Sequence, residues 1–221
     1  MVSVRSSPPY SKSPNFTSLI NAFQSVQVSS GLPSESIWVI ITVPRAPAAL
    51  AFEIDPREAI AVRKQYNWGR QAFEGGVVMP DNKTVYMGAD NTPGVLSKFV
   101  ADVAGDFTEG TTYFYKEDAA EKWVEIDNSD LNTMLDFEAE AIAEGATMFN
   151  RLEWVAYNEL DGDVYITETG RDNPASRWAD DLANGGVFAE HHNARATAQG
   201  VTGPDDAAYL DYYGRVLKLD V

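Results

Sequence analysis

From Ala48 onward apolar and polar positions alternate in short bursts. The bursts "ALAFEID", "GGVVMP", "TVYMGA", "VLSKFVA", "TTYFYK" and "KWVEID" are 6 or 7 residues long. A period of two over such lengths predicts half-buried strands, and their β-branched and aromatic residues fit a pleated surface. "PDNK" (Pro80 to Lys83) and "LDGD" (Leu160 to Asp163) place Asp, Asn and Gly where a hairpin must reverse. "SIWVIITVP" (Ser36 to Pro44) predicts an earlier strand, and "GRVLKLDV" a last one. One stretch changes period. "SDLNTMLDFEAEAIAEGA" predicts a single helix with Ser129 or Asp130 as N-cap and Gly145 as its stop. Leu131, Met134, Leu135, Phe137 or Glu138, and Ile142 form its apolar stripe. From Arg171 to Tyr209 neither period holds, and a stretch so long is functional, partly helical or loose.

The pattern repeats. Glu74 lies 12 residues before Tyr86 and Glu153 lies 12 before Tyr165, so two hairpins 79 residues apart stay in register without a gap. Each hairpin is followed, after an excursion, by a third strand, and "TTYFYK" or "WVEI" can give the first unit a fourth. Repeated units of four antiparallel strands are the pattern of propeller blades. The expected fold is therefore mainly β: a partial β-propeller over residues 46–221, with about two to two and a half blades of antiparallel four-stranded sheet and one inserted helix. The second blade reaches Val221 before a fourth strand, which leaves sheet edges open to self-association.

Residues 1–45 read differently. Eleven serines fall in the first 36 residues beside clustered prolines, which predicts a poorly ordered or unrelated segment. No compact apolar core follows the early arginine, so no signal peptide is visible.

Charge narrows the function classes. The chain of 221 residues has a net charge of −16. Residues 1–50 carry Arg5, Lys12 and Arg45 against Glu35, so the excess of acid lies wholly in the body. Such a surface repels nucleic-acid phosphates and anionic membrane, which argues against both as partners, and it favours cations. No apolar run approaches the roughly 18 to 20 residues of a membrane-spanning helix. With no cysteine, zinc-thiolate sites and thiol nucleophiles are excluded. No Gly-x-Ser-x-Gly context and no phosphate loop occur. "ELDGDV" lacks the spacing of a calcium loop. The two histidines, in "EHHNAR" (Glu190 to Arg195), are read as surface residues of an irregular loop.

The segments "EGGVVMPDNKTVYMGAD", "SKFV", "RLEWVAYNELDGDVYITET" and "YGRVLKLDV" resemble the PhoX-type bacterial alkaline phosphatases, over about Ala48 to Val221. The resemblance implies a β-propeller, a phosphomonoester substrate and a periplasmic or extracellular location. It also implies that Glu74 and Glu153 point into the central channel and bind a cluster of calcium and iron. Arg151 is then the residue that contacts the substrate phosphate. Arg151 and Glu153 would share one side of a strand while Leu152 packs between sheets. Asp90 and Asp172 are candidates to extend the metal site. The family's further ligands include a cysteine that this chain lacks, so the ligand set is incomplete and little activity is expected of it alone. A non-catalytic calcium- or partner-binding propeller module is the alternative.

Overall fold

The computed structural model describes residues 26–29, 37–41, 50–55, 60–169, 189–204, 206–210 and 214–221. Within them the chain is mainly β, a partial β-propeller of three antiparallel sheets. The first sheet runs β1 (Val26–Ser29), β2 (Ile37–Ile41), β3 (Ala51–Asp55) and β4 (Ile60–Gln65). The second runs β5 (Phe73–Val78), β6 (Thr84–Ala89), β7 (Leu96–Val103), β8 (Asp106–Tyr115) and β9 (Trp123–Ile126). The third has β10 (Leu152–Tyr157), β11 (Val164–Glu168) and β12 (Arg215–Leu219). Every sheet is a meander of sequential neighbours, as in a propeller blade. The strand expected in "SIWVIITVP" is β2, which pairs with β3 across the boundary drawn at residue 45. Both "TTYFYK" and "WVEI" join the second sheet, which gains a fifth strand.

Burial follows from the stacking of sheets. Trp68, Phe73, Val85, Met87, Phe99 and Phe107 form one core cluster. Tyr86, Leu96, Phe149, Leu152, Val155, Val164 and Ile166 form another, between the second and third sheets. Because β6 has a neighbour on both faces, Val85 through Ala89 are all buried and no alternation of buried and exposed positions remains there. Burying such side chains contributes roughly 1.5–3 kcal/mol each.

The expected helix is two. Asp130 caps α1 (Leu131–Leu135) by accepting from the Asn132 amide, and the helical φ/ψ path breaks at Asp136 before α2 (Phe137–Ala143). Met134, Phe137 and Ala141 are the buried face, packed on Phe114 and Ile126, while Leu131 is exposed. A second correction concerns "EHHNAR". It lies in a helix, α3 (Ala189–Gln199), and His192 is fully buried rather than on the surface.

Candidate functional site

The two glutamates of the repeat occupy equivalent backbone irregularities. Pairing of β5 with β6 shifts register between Phe73 and Gly75, around Glu74. Pairing of β10 with β11 shifts between Leu152 and Val155, around Glu153 and Trp154. A bulge re-aims the side chain it carries. The bulges sit where the sheets come closest: a Cβ on Gly75 would lie 2.1 Å from the Glu153 carbonyl oxygen. Glycine here admits the backbone of β10.

Arg151 precedes β10 with φ +62°, so its side chain is not placed by strand alternation as expected. It still meets Glu153. The guanidinium Nε donates to Asp90 Oδ1 at 2.8 Å, and Nη2 donates to Asp90 Oδ2 at 3.3 Å and to Glu153 Oε1 at 3.2 Å. Thr169 Oγ1 also donates to Glu153 Oε1. Asp90 stands at the end of β6, with its amide donating to the Ala72 carbonyl at 2.7 Å. The Arg151 backbone is clamped on both sides, by its amide donating to Asn91 O at 2.9 Å and its carbonyl accepting from Thr169 N at 3.1 Å. The structure thus brings Arg151, Glu153 and Asp90 into contact, with Glu74 in their field. Asp172 lies outside the described residues.

Three carboxylates around one guanidinium leave the cluster two charges negative. Burial pushes the Glu74 carboxyl up, and the Asp90 and Glu153 carboxylates push it further against the opposing pull of Arg151. Its carboxylate accepts no hydrogen bond among the described residues. The hydrogen bond to Asp90 holds the Arg151 guanidinium above its already high range.

Glu138 supports the site from α2. Its Oε1 accepts from the Ala72 amide at 2.5 Å and its Oε2 from Asn91 Nδ2 at 3.0 Å, tying the start of β5 to the loop after Asp90. Desolvation raises its pKa despite both bonds. The only sign of it in the sequence is a glutamate beside Phe137 on the apolar stripe of the helix. Glu138→Ala leaves the Ala72 amide without its acceptor and is expected to lower stability by about 1–3 kcal/mol in urea unfolding.

A pH dependence follows. The folded chain holds protons on Glu74 and Glu138 more tightly than the unfolded chain does, so their contribution to stability falls as pH rises from the ordinary carboxyl range through their raised pKa values. Asp81, Glu117, Asp127, Asp161 and Asp206 are held low by hydrogen bonds from nearby donors and act oppositely, losing their stabilisation in acid. Maximum thermal stability of the metal-free chain is expected on the acid side of neutrality. Glu74→Gln should reduce the decline toward neutral pH, measured as unfolding temperature against pH.

The donors fit a hard cation in chemistry and in charge, since carboxylate oxygens suit calcium and iron(III). Among the described residues, however, no three His, Cys, Asp or Glu side chains group closely enough to hold an ion. Arg151 is the cation that draws Asp90 and Glu153 together.

The family model described as alkaline phosphatase PhoX matches residues 49–202. Among solved structures, the fold is similar to Pseudomonas fluorescens PhoX in complex with vanadate, a transition state analogue, with a TM-score of 0.51 and 23% sequence identity. The match covers 76% of this chain and 32% of that one, so the chain spans about a third of the length of its solved relative. No curated protein matches.

Proposed function

This chain belongs to the alkaline phosphatase PhoX family, and on that premise we propose that it carries part of a phosphomonoester-hydrolysing centre. Glu74 and Glu153 would hold calcium or iron, with Asp90 beside them, and Arg151 would bind the substrate phosphate. The observation that supports this reading is the uncompensated charge: three half-buried carboxylates share one guanidinium, and Glu74 is the strained member. Bound metal would supply Lewis-acid polarisation of the phosphoryl oxygens. Asp90 and Glu153 orient Arg151 through Nε and Nη2, and Nη1 donates no hydrogen bond among the described residues. That edge of the planar fork is available to phosphate oxygens, where it would offset developing negative charge. The three carboxylates are an incomplete set for a calcium and iron cluster, and further ligands would come from outside the described residues.

Family membership favours a periplasmic or extracellular location. Among the described residues no helix is long and apolar enough to cross a membrane. Self-association through the edge of β12 that no other described strand covers belongs to the same reading, with Val216 and Trp154 exposed on the third sheet.

A calcium- or partner-binding module without turnover is the second reading. It is favoured by the absence, among the described residues, of a ligand group complete enough for the metals that turnover would need. Turnover of p-nitrophenyl phosphate by the full chain, with calcium and ferric iron and again after chelation, separates the two. Hydrolysis that chelation abolishes would support the phosphatase centre. Metal-dependent stabilisation without hydrolysis would favour the module.

A further inference from the structure

A buried polar chain ends at the backbone amide of Asn150, the residue before Arg151. Tyr209 Oη lies 2.7 Å from His192 Nδ1, and Arg215 Nη1 lies 3.3 Å from His192 Nε2. A guanidinium can only donate, so Nε2 accepts, and the neutral ring carries its proton on Nδ1 toward the tyrosine. Arg215 Nε is 2.8 Å from Glu168 Oε2, a charge contact rather than an aligned hydrogen bond. The other carboxylate oxygen, Glu168 Oε1, accepts from the Asn150 amide at 2.7 Å. Asn150 is fully buried and is held further by Thr92 Oγ1, which donates to its Oδ1, and by the Thr169 carbonyl, which accepts from its Nδ2. The next residue is Arg151, in its left-handed conformation.

Two features give this arrangement more than a packing role. Glu168 is 2% exposed while the Arg215 side chain keeps 10% of its surface, and a carboxylate so placed is costly without strong compensation. One of its oxygens holds the backbone amide that precedes the left-handed residue. Glu168 is also the last residue of β11 and pairs with Leu152, so the carboxylate spans the point where β10 leaves regular pairing for its bulge. A residue held at φ above zero stays there only while its surroundings over-determine it.

We propose that Glu168 is a positioning residue for Arg151, and that Arg215 of β12 and His192 of α3 complete the brace. The carboxylate fixes Asn150 so that Arg151 turns left-handed and lays its guanidinium between Asp90 and Glu153. The inference deepens the phosphatase reading and rests on it for its functional meaning, but its geometric content is testable without activity. Helix α3, remote in sequence from the candidate site, is thereby coupled to the residue proposed to bind phosphate.

The test uses the full chain labelled for NMR, reading the Arg151 Nε–H signal and its hydrogen exchange. Asp90→Ala, which removes the direct partner, establishes the signal. Glu168→Gln keeps an acceptor for Asn150 but removes the counter-charge of Arg215. Arg215→Lys keeps the charge but cannot reach both Glu168 and His192, and it decides the matter should Glu168→Gln fail to fold. Both variants are expected to shift the Arg151 signal and speed its exchange about tenfold, with cooperative unfolding retained. An unchanged Arg151 signal in a folded Glu168→Gln or Arg215→Lys protein would overturn the proposal. A phosphatase assay that fails while these shifts appear would count against the functional reading alone.

Discussion

Gly75→Ala is expected to lower stability by about 3 kcal/mol, because an added methyl group has nowhere to go. Its Cβ would sit 2.1 Å from Glu153 O, 2.8 Å from Val155 N and 2.9 Å from Trp154 Cα, all backbone atoms of one strand. Side chains can rotate away from an intruder, whereas a strand can yield only by moving as a whole. Separation of β10 from β5 would carry Glu153 away from Glu74, so any metal affinity should fall with the stability. Gly88 supplies the control. An added methyl there would meet the Leu152 side chain at 3.0 Å, and a side chain can give by tenths of an ångström. Gly88→Ala is therefore expected to cost less than Gly75→Ala in urea unfolding. Equal midpoints for both variants would mean that the two sheets are not in backbone contact.

The second large effect is that of Arg151→Ala. In an active preparation it should lower turnover of p-nitrophenyl phosphate by about 10²–10³-fold, the scale for removing one donor to developing charge. It should also destabilise the metal-free chain near neutral pH, since Glu74, Asp90 and Glu153 would face one another without a counter-charge. Calcium should then restore more stability to the variant than to the unaltered chain, because Arg151 and the ion compete for the same oxygens. Arg151→Lys should recover much of the stability and little of the turnover, as an ammonium is a point charge without the fork. A variant that loses turnover but gains nothing extra from calcium would separate phosphate binding from metal binding at this site.

The sheets and the two glutamates were legible because hairpins leave local marks: a period of two, turn residues at fixed places and an ungapped repeat. Strand β4 was not, since Ile60 and Val62 are exposed and Gln65 is its buried residue, so no apolar alternation exists to be read. Helix α3 escaped for a similar reason. Among its described side chains the buried ones are His192 and Ala196, a polar ring and a methyl group, which form no apolar stripe. The break at Asp136 is invisible to periodicity, because Met134 and Phe137 keep helical spacing across it. At the site, the residue types were readable and the reason for their meeting was not. Arg151 and Glu153 converge through a left-handed residue and a bulge, both set by how β10 is held against β5 and β11. The pairing of Asp90 with Arg151 joins residues 61 apart in the chain, and Glu138 reaches Ala72 across 66. No local pattern encodes such contacts.

The central claim is that Glu74, Asp90 and Glu153 form one electrostatic unit that wants a cation beyond Arg151. Thermal unfolding of the full chain with and without calcium, beside Glu74→Gln under the same conditions, tests it most directly. The account predicts a cooperative transition that calcium raises, and a Glu74→Gln protein that unfolds at least as high without calcium but gains little from it. A transition indifferent to calcium, with Glu74→Gln no more stable than the unaltered chain, would contradict it.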